Sequence, residues 1–252
     1  MRIKYFLNKI ISPLATFTIL MIISASSFAS LITIGTGDTN VVGSSTPEVN
    51  RDEDNVVNGS GIGLDALTGK LITTTTQPNG FHWNTLTEFA DITFDLGAVY
   101  NINFIHIWNF NDGFGNSDFG PETIDLLVSS IGTNAQDADF SQASVVPRLS
   151  IQHAPGQIGY QGENYRFNGK SASDIPDELG GELHDLSFLY VTGRFVKFSD
   201  LDGQDRFGGR AGLSEVQFYG TPVPLPASVW FLISALICLF TFGRNKFNQG
   251  SI

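Results

Sequence analysis

Ala90-Asp91-Ile92-Thr93-Phe94-Asp95-Leu96-Gly97, followed by Ile102-Asn103-Phe104-Ile105-His106-Ile107-Trp108-Asn109-Phe110, is patterned as two consecutive β-strand segments. The first segment alternates with period two and stops at a glycine. The second is rich in isoleucine and aromatics and ends in Asn111-Asp112-Gly113. Period-two alternation, β-branched and aromatic enrichment, and Gly/Asn/Asp boundaries are the signals of strands. Working outward, Leu31–Ile34, Ile124–Ser129, Leu189–Val191, Phe195–Phe198 and Val216–Tyr219 repeat the style. No part of the body carries a capped 3.6-residue apolar stripe, and Asp185–Tyr190 is too short to count. Many short strands joined by turns predict an all-β, antiparallel sandwich or barrel. No internal repeat of solenoid or propeller length is visible.

Both ends read as targeting segments. Residues 1–29 hold Arg2, Lys4 and Lys9, an apolar run Ile10–Ile23, then Ser27-Phe28-Ala29. That order predicts a secretory signal peptide, with the mature chain starting at Ser30. Residues 222–252 contain a Pro-rich motif, an apolar segment expected to be a helix over about 228–243, and Arg244 and Lys246. Its roughly 16 apolar residues would give about 24 Å of helix, slightly short for a bilayer. The basic cluster should stay cytoplasmic and leave the body outside. The body, residues 30–221, keeps 9 of the 14 basic residues and all 25 acidic ones, a net −16. Such a surface repels phosphate backbones, which argues against nucleic acid as a partner. The sole cysteine, Cys238, lies in the apolar segment, so the body has no disulfide, thiol nucleophile or cysteine-ligated zinc.

Two resemblances follow from quoted residues. Ala90–Gly97 and Ile105–Asn111, then Arg194-Phe195-Val196-Lys197-Phe198 and Gly212-Leu213-Ser214-Glu215-Val216-Gln217-Phe218-Tyr219-Gly220, resemble the central and closing strands of discoidin-like domains. These coagulation-factor type C domains have the galactose-binding jelly-roll fold. The resemblance brackets residues 50–220, with 134–182 unplaced. It implies an antiparallel jelly-roll β-sandwich that binds carbohydrate through loops at one end. It also implies a structural calcium near an N-terminal loop, helped by a glutamate on the last strand. Glu215 matches that glutamate, while Asn58 and Ser60 stand loosely for the loop. The family's early Asp-Gly-x-x-x-Thr-x-Trp segment is represented only by Asn58-Gly59-Ser60 and a distant Trp83. Val223-Pro224-Leu225-Pro226-Ala227, the apolar run and the basic tail resemble the VPLPA-CTERM (PEP-CTERM-like) sorting signal of Gram-negative bacteria. That resemblance implies anchoring in the inner membrane, processing by an exosortase-type protease, and a surface or biofilm-matrix destination linked to exopolysaccharide.

Catalytic patterns are weak. His82, His106, His153 and His184 form neither HxH nor HExxH, and His106 reads as a strand histidine. Ser60 in Asn-Gly-Ser-Gly-Ile-Gly fits no nucleophile elbow. Acidic pairs as in glycosidases arise by chance among 25 carboxylates, so no enzyme is expected. The loops Asp52–Asn55 and Asp200–Asp205 could supply calcium with oxygens, although neither is an EF-hand. Sugar recognition needs a ring face and planar hydrogen-bonding groups. Asn111, Asp112 and Phe114, near Phe119, and Arg206, Phe207 and Arg210 offer both; Trp108 reads as core. The expectation is an exported, non-enzymatic protein that binds a polysaccharide or surface glycan. The alternative is a structural matrix protein or adhesin that contacts proteins without binding sugar.

Overall fold

The computed structural model describes residues 29–37, 39–44, 46–77, 80–87, 89–113, 119–202, 210–224, 231–232 and 234–235. Twelve strands are defined among them: β1 (Ser30–Ile32), β2 (Val41–Gly43), β3 (Ile62–Leu64), β4 (Leu71–Thr73), β5 (Trp83–Asn84), β6 (Phe89–Asn109), β7 (Thr123–Ser129), β8 (Ser144–Ser150), β9 (Glu163–Arg166), β10 (Glu182–Asp185), β11 (Thr192–Asp202) and β12 (Gly212–Pro222). They form the expected antiparallel β-sandwich, with one parallel pair, β9 and β10. The main path runs β1-β12-β6-β11-β7-β8; β2 and β9 also pair with β6, β5 with β12, and β10 with β9. β3 and β4 make a separate hairpin.

The stretch Ala90–Phe110 behaves differently from its reading in one respect. Gly97 does not end a strand: β6 runs on for 21 residues. Gly97 has φ +79°, a backbone region costly for other residues, and its N–H donates to Asp95 Oδ1 at 2.8 Å. Opposite it the register with β11 jumps from Phe195↔Asp95 to Gly193↔Tyr100. The kink is a bulge that re-aims the strand, so its first part pairs with β2 and β11 and its last part with β9. Leu189–Val191 is not a strand either. Leu189 N–H closes a turn on Leu186 C=O, and Val191 N–H is taken by Asn168 Oδ1.

The core is apolar and aromatic. Phe94 on β6 packs on Phe198 of β11 and Phe218 of β12, with ring centroids 5.2 and 5.1 Å apart. Trp83, Ile92, Ile105, Leu126, Val196 and Leu213 complete the same cluster. Burial of each large side chain contributes about 1.5–3 kcal/mol, which lets a chain without disulfides hold together. Trp108 is fully buried, as its core reading required.

The C-terminal residues from Pro222 form a second unit. Within it Phe231, Leu232, Ser234 and Ala235 are helical, and most of the expected 228–243 helix lies outside the described residues. Among the described residues no helix is long and apolar enough to cross a membrane. The signal-peptide reading falls on residues outside the description except for Ala29, and of the sorting motif only Val223 and Pro224 lie inside it; Leu225, Pro226 and Ala227 do not.

Candidate functional site

β12 brings Glu215 under the turn Asn58-Gly59-Ser60. Gly59, at φ +72°, points its N–H at both carboxylate oxygens, 3.1 and 3.2 Å away. The Glu215 side chain is 1% exposed, and burial pushes its pKa well above the usual carboxylate range against the weaker opposing pull of Gly59 N–H. Asn58 Oδ1 accepts from Ser60 N–H at 2.7 Å, and Asn58 Nδ2 donates to Asn55 Oδ1 at 3.3 Å. Ser60 Oγ is buried without a partner on the same turn. A cavity of about 210 Å³ adjoins, lined by Ile32, Ile34, Val57, Asn58, Gly59 and Glu215 among others. A buried carboxylate and an orphaned hydroxyl are oxygen donors of the kind calcium takes. Asn58 and Glu215 line this cavity together, and Ser60 sits on the adjoining turn. No group of three or more His, Cys, Asp or Glu side chains suited to a metal occurs among the described residues, so backbone and amide oxygens would have to complete the shell.

Three carboxylates of the acidic loops are otherwise employed, while residues 203–205 lie outside the described residues. Asp52 caps the 3-10 turn Glu53–Val56 by accepting from Asp54 N–H at 3.1 Å, and Asp54 Oδ1 accepts from Gly37 N–H at 2.6 Å. Asp200 pairs with Arg148. These carboxylates stitch loops together.

Close by, the loops at one end of the sandwich surround a cleft of about 490 Å³, lined by Pro47, Glu48, Val49, Asn50, Arg51, Asp52, Asn55 and Gly80. Its charged wall is built around Glu48. That carboxylate accepts from Asn84 Nδ2 at 3.1 Å and sits 2.9 Å from Arg51 Nη1 and 2.6 Å from Arg210 Nη1. Burial raises its pKa, but the Asn84 hydrogen bond and both guanidiniums outweigh it, so Glu48 lies below its ordinary value. Arg51 also donates to Asn84 Oδ1 at 2.9 Å, and Arg210 lies 5.2 Å from the Phe119 ring. Val49, in the same lining, is 80% exposed. Fixed planar donors therefore stand beside exposed apolar surface.

Beneath the cleft runs a buried polar chain. Ser214 Oγ donates to Asn109 C=O at 2.8 Å, so it can only accept from Asn111 N–H, at 3.1 Å, and from His82 Nδ1. That fixes His82 as the Nδ1–H tautomer, neutral, with a buried Nε2 that has no partner. Burial, and secondarily Arg51, lowers its pKa to about 4.

The sequence-derived ligand contacts divide accordingly. Arg210 stands at the rim. Asn111 does not: it is fully buried, its Nδ2 donates to Thr73 Oγ1 and Gln157 C=O at 3.0 and 2.8 Å, and its Oδ1 accepts from Gln157 N–H at 3.2 Å. Asp112 is 1% exposed and lends its charge to Arg51. Both are interior residues that hold the loop, which corrects the expectation of surface contacts. Phe114, Arg206 and Phe207 lie outside the described residues. Sequence reasoning missed Glu48, Arg51, His82 and Asn84, because the ion network joins residues up to 162 positions apart.

No protein-family model and no curated protein matches this chain. Its fold is similar to solved carbohydrate-binding modules. One is a family 32 module from a family 31 glycoside hydrolase of Clostridium perfringens, at TM-score 0.44 and 13% identity, covering 79% of this chain and 98% of that one. Another is the family 32 module of C. perfringens NanJ in complex with galactose, at TM-score 0.42 and 13% identity, covering 76% and 98%. A third is the fucolectin from striped bass (Morone saxatilis) serum, at TM-score 0.45 and 14% identity, covering 73% of this chain and 47% of that one. Those ligands belong to those proteins; the chemistry of this chain has to come from its own side chains.

Proposed function

We propose that the sandwich is a non-enzymatic module that binds neutral carbohydrate in the cleft between Pro47–Asp52 and Gly80, on a protein exported to the cell surface or matrix. The observation that carries the reading is the Arg51–Glu48–Arg210 network. It holds the Arg51 guanidinium in a cleft that the exposed apolar side chain of Val49 also lines. Hydroxyl-bearing rings need such a pairing of planar donors and apolar surface. The net −16 of the body favours neutral over polyanionic glycans. Single sugars should bind at about millimolar Kd, near −4 kcal/mol, with tighter apparent binding arising from multivalent presentation.

Electrophoresis of the full-length protein through gels containing galactan or dextran tests this directly. Arg210→Ala should weaken polysaccharide retardation at least about tenfold, the loss of roughly 1.4 kcal/mol. The melting temperature should hardly move, because Glu48 keeps Arg51 and Asn84 as partners. Unretarded wild-type protein would leave the matrix-protein reading instead.

We further propose calcium as a structural ion at Glu215, Asn58 and Ser60. It would supply the cation that this buried carboxylate lacks among its hydrogen-bond partners. An ion bound only by the native state adds about 2.7 kcal/mol at a hundredfold excess over Kd. Melting temperature is expected to rise with calcium and fall with chelator, and Glu215→Gln should blunt both. A flat response would remove the ion. Export and exosortase processing are proposed from the two terminal signals. Amino-terminal sequencing should find Ser30, and intact mass should show processing near Pro226-Ala227 with loss of Val229–Ile252.

A further inference from the structure

A second hollow lies on the sheet face, away from the loop cleft, between β2, β6 and β11 and the segment 135–140. Its volume is about 360 Å³, and its lining includes Ser44, Asp91, Thr93, Gln136, Phe140 and Lys197. That volume falls in the range of small-molecule sites. We infer that this hollow binds one pyranose unit of the same neutral polysaccharide, so that the module grips a chain at two places; the inference rests on the carbohydrate reading of the end cleft.

The hollow is built rigidly. Asp91 accepts from Ser199 Oγ at 2.7 Å and Asp200 N–H at 3.1 Å and forms an ion pair with Lys197. Its N–H is taken by Ser44 Oγ at 2.8 Å. Lys197 Nζ lies 5.9 Å from the Phe140 ring centroid. The opposite wall is fixed by its own hydrogen bonds. Asp137 accepts from Thr133 N–H and Asn134 N–H, both at 2.8 Å, and Ile131 C=O accepts from Asp139 N–H at 2.9 Å. Arg194 ties Thr133 C=O to Asp95. Asp91, Lys197 and Ser44 need no ordering when a ligand arrives, which lowers the cost of binding.

The chemistry selects the ligand. The lysine charge is neutralised by Asp91, so no net cation awaits an acid group. What remains is an aromatic ring, an amide, two hydroxyls and an ion pair whose unused donor and acceptor positions suit sugar hydroxyls.

Two grips on one chain raise apparent affinity by about 10²–10⁴ over either alone. The test is retardation of the full-length protein in galactan and dextran gels. It compares wild type, Phe140→Ala, Gln136→Ala, Arg210→Ala and Gln136→Ala/Arg210→Ala. Gln136 is exposed, so its variant keeps the proposal testable if Phe140→Ala unfolds. The expected result is a loss of tenfold or more for each single variant and no retardation for the double variant. Retardation of both Phe140→Ala and Gln136→Ala equal to wild type, with Arg210→Ala impaired, would overturn the second site and leave the first. The converse pattern would uphold the face hollow and remove the end cleft. Wild type unretarded in every gel would remove both.

Discussion

Lowering the pH from 7 to 5 is expected to cost this fold about 2 kcal/mol for each of two buried histidines, His82 and His106. Burial lowers both to about 4 in the folded chain, from an ordinary value of 6.5. The sign follows from which state takes the proton. Between pH 6.5 and 4 the unfolded chain binds protons that the folded chain refuses, so stability falls as pH falls through that window. Below pH 4 the full loss, about 3 kcal/mol per ring, has accrued. His106 is held between Asn164 Oδ1 at 2.8 Å and Gln161 C=O at 2.9 Å, both favouring the charged ring, yet desolvation at complete burial is larger. Glu215 works in the opposite sense, because its raised value favours the folded state as pH falls toward 4.5. Denaturant titrations at pH 7 and pH 5 should therefore compare wild type with His106→Asn. The difference in slope cancels Glu215 and should be about 2 kcal/mol. Equal slopes would show that His106 is charged in the fold.

Replacing Asn111 by alanine is expected to destabilise the protein by about 3 kcal/mol. Its amide joins three segments: the loop after β6, Thr73 on β4, and Gln157. Truncation removes one donor from Thr73 Oγ1 and one from Gln157 C=O, which keeps only Thr73 Oγ1, takes the acceptor from Gln157 N–H, and leaves a small void in a close-packed interior. Asp112 next to it supports Arg51 in the cleft, so polysaccharide binding should weaken together with stability. A contact residue would behave otherwise, losing binding at unchanged melting temperature. Thermal unfolding of Asn111→Ala and Arg210→Ala side by side separates the two roles, and a stable Asn111→Ala protein that fails to bind would restore Asn111 to the surface.

Legibility in the sequence tracked how far each feature is local. Alternation in Ile92–Leu96 and the apolar run Ile102–Phe110 reported strands because burying one face of a strand is a local requirement. The same logic failed for β9, Glu163-Asn164-Tyr165-Arg166, which is polar yet largely buried. Glu163 Oε2 accepts from Tyr165 Oη and faces His184 Nε2, each at 2.8 Å, and Asn164 Nδ2 donates to Gly180 C=O. A polar strand can be interior when other segments satisfy it, and nothing in its own residues says so. Gly97 failed similarly: a glycine permits a turn and a bulge equally, and the β11 register chose the bulge.

The all-β class, the charge of the body and the burial of Trp108 were legible in the residues themselves. These rest on side-chain periodicity, composition and a strand motif, which are local. That Asn111 and Asp112 are interior emerged from the folded chain. It alone joined Glu48 to Arg51 and Arg210, spent three carboxylates of the acidic loops on capping and cross-loop bonds, and opened a hollow against Phe140. Each of those depends on which distant groups meet a donor or a charge. A polar residue is driven to the surface or admitted to the interior by the partner it finds, and the fold supplies the partner.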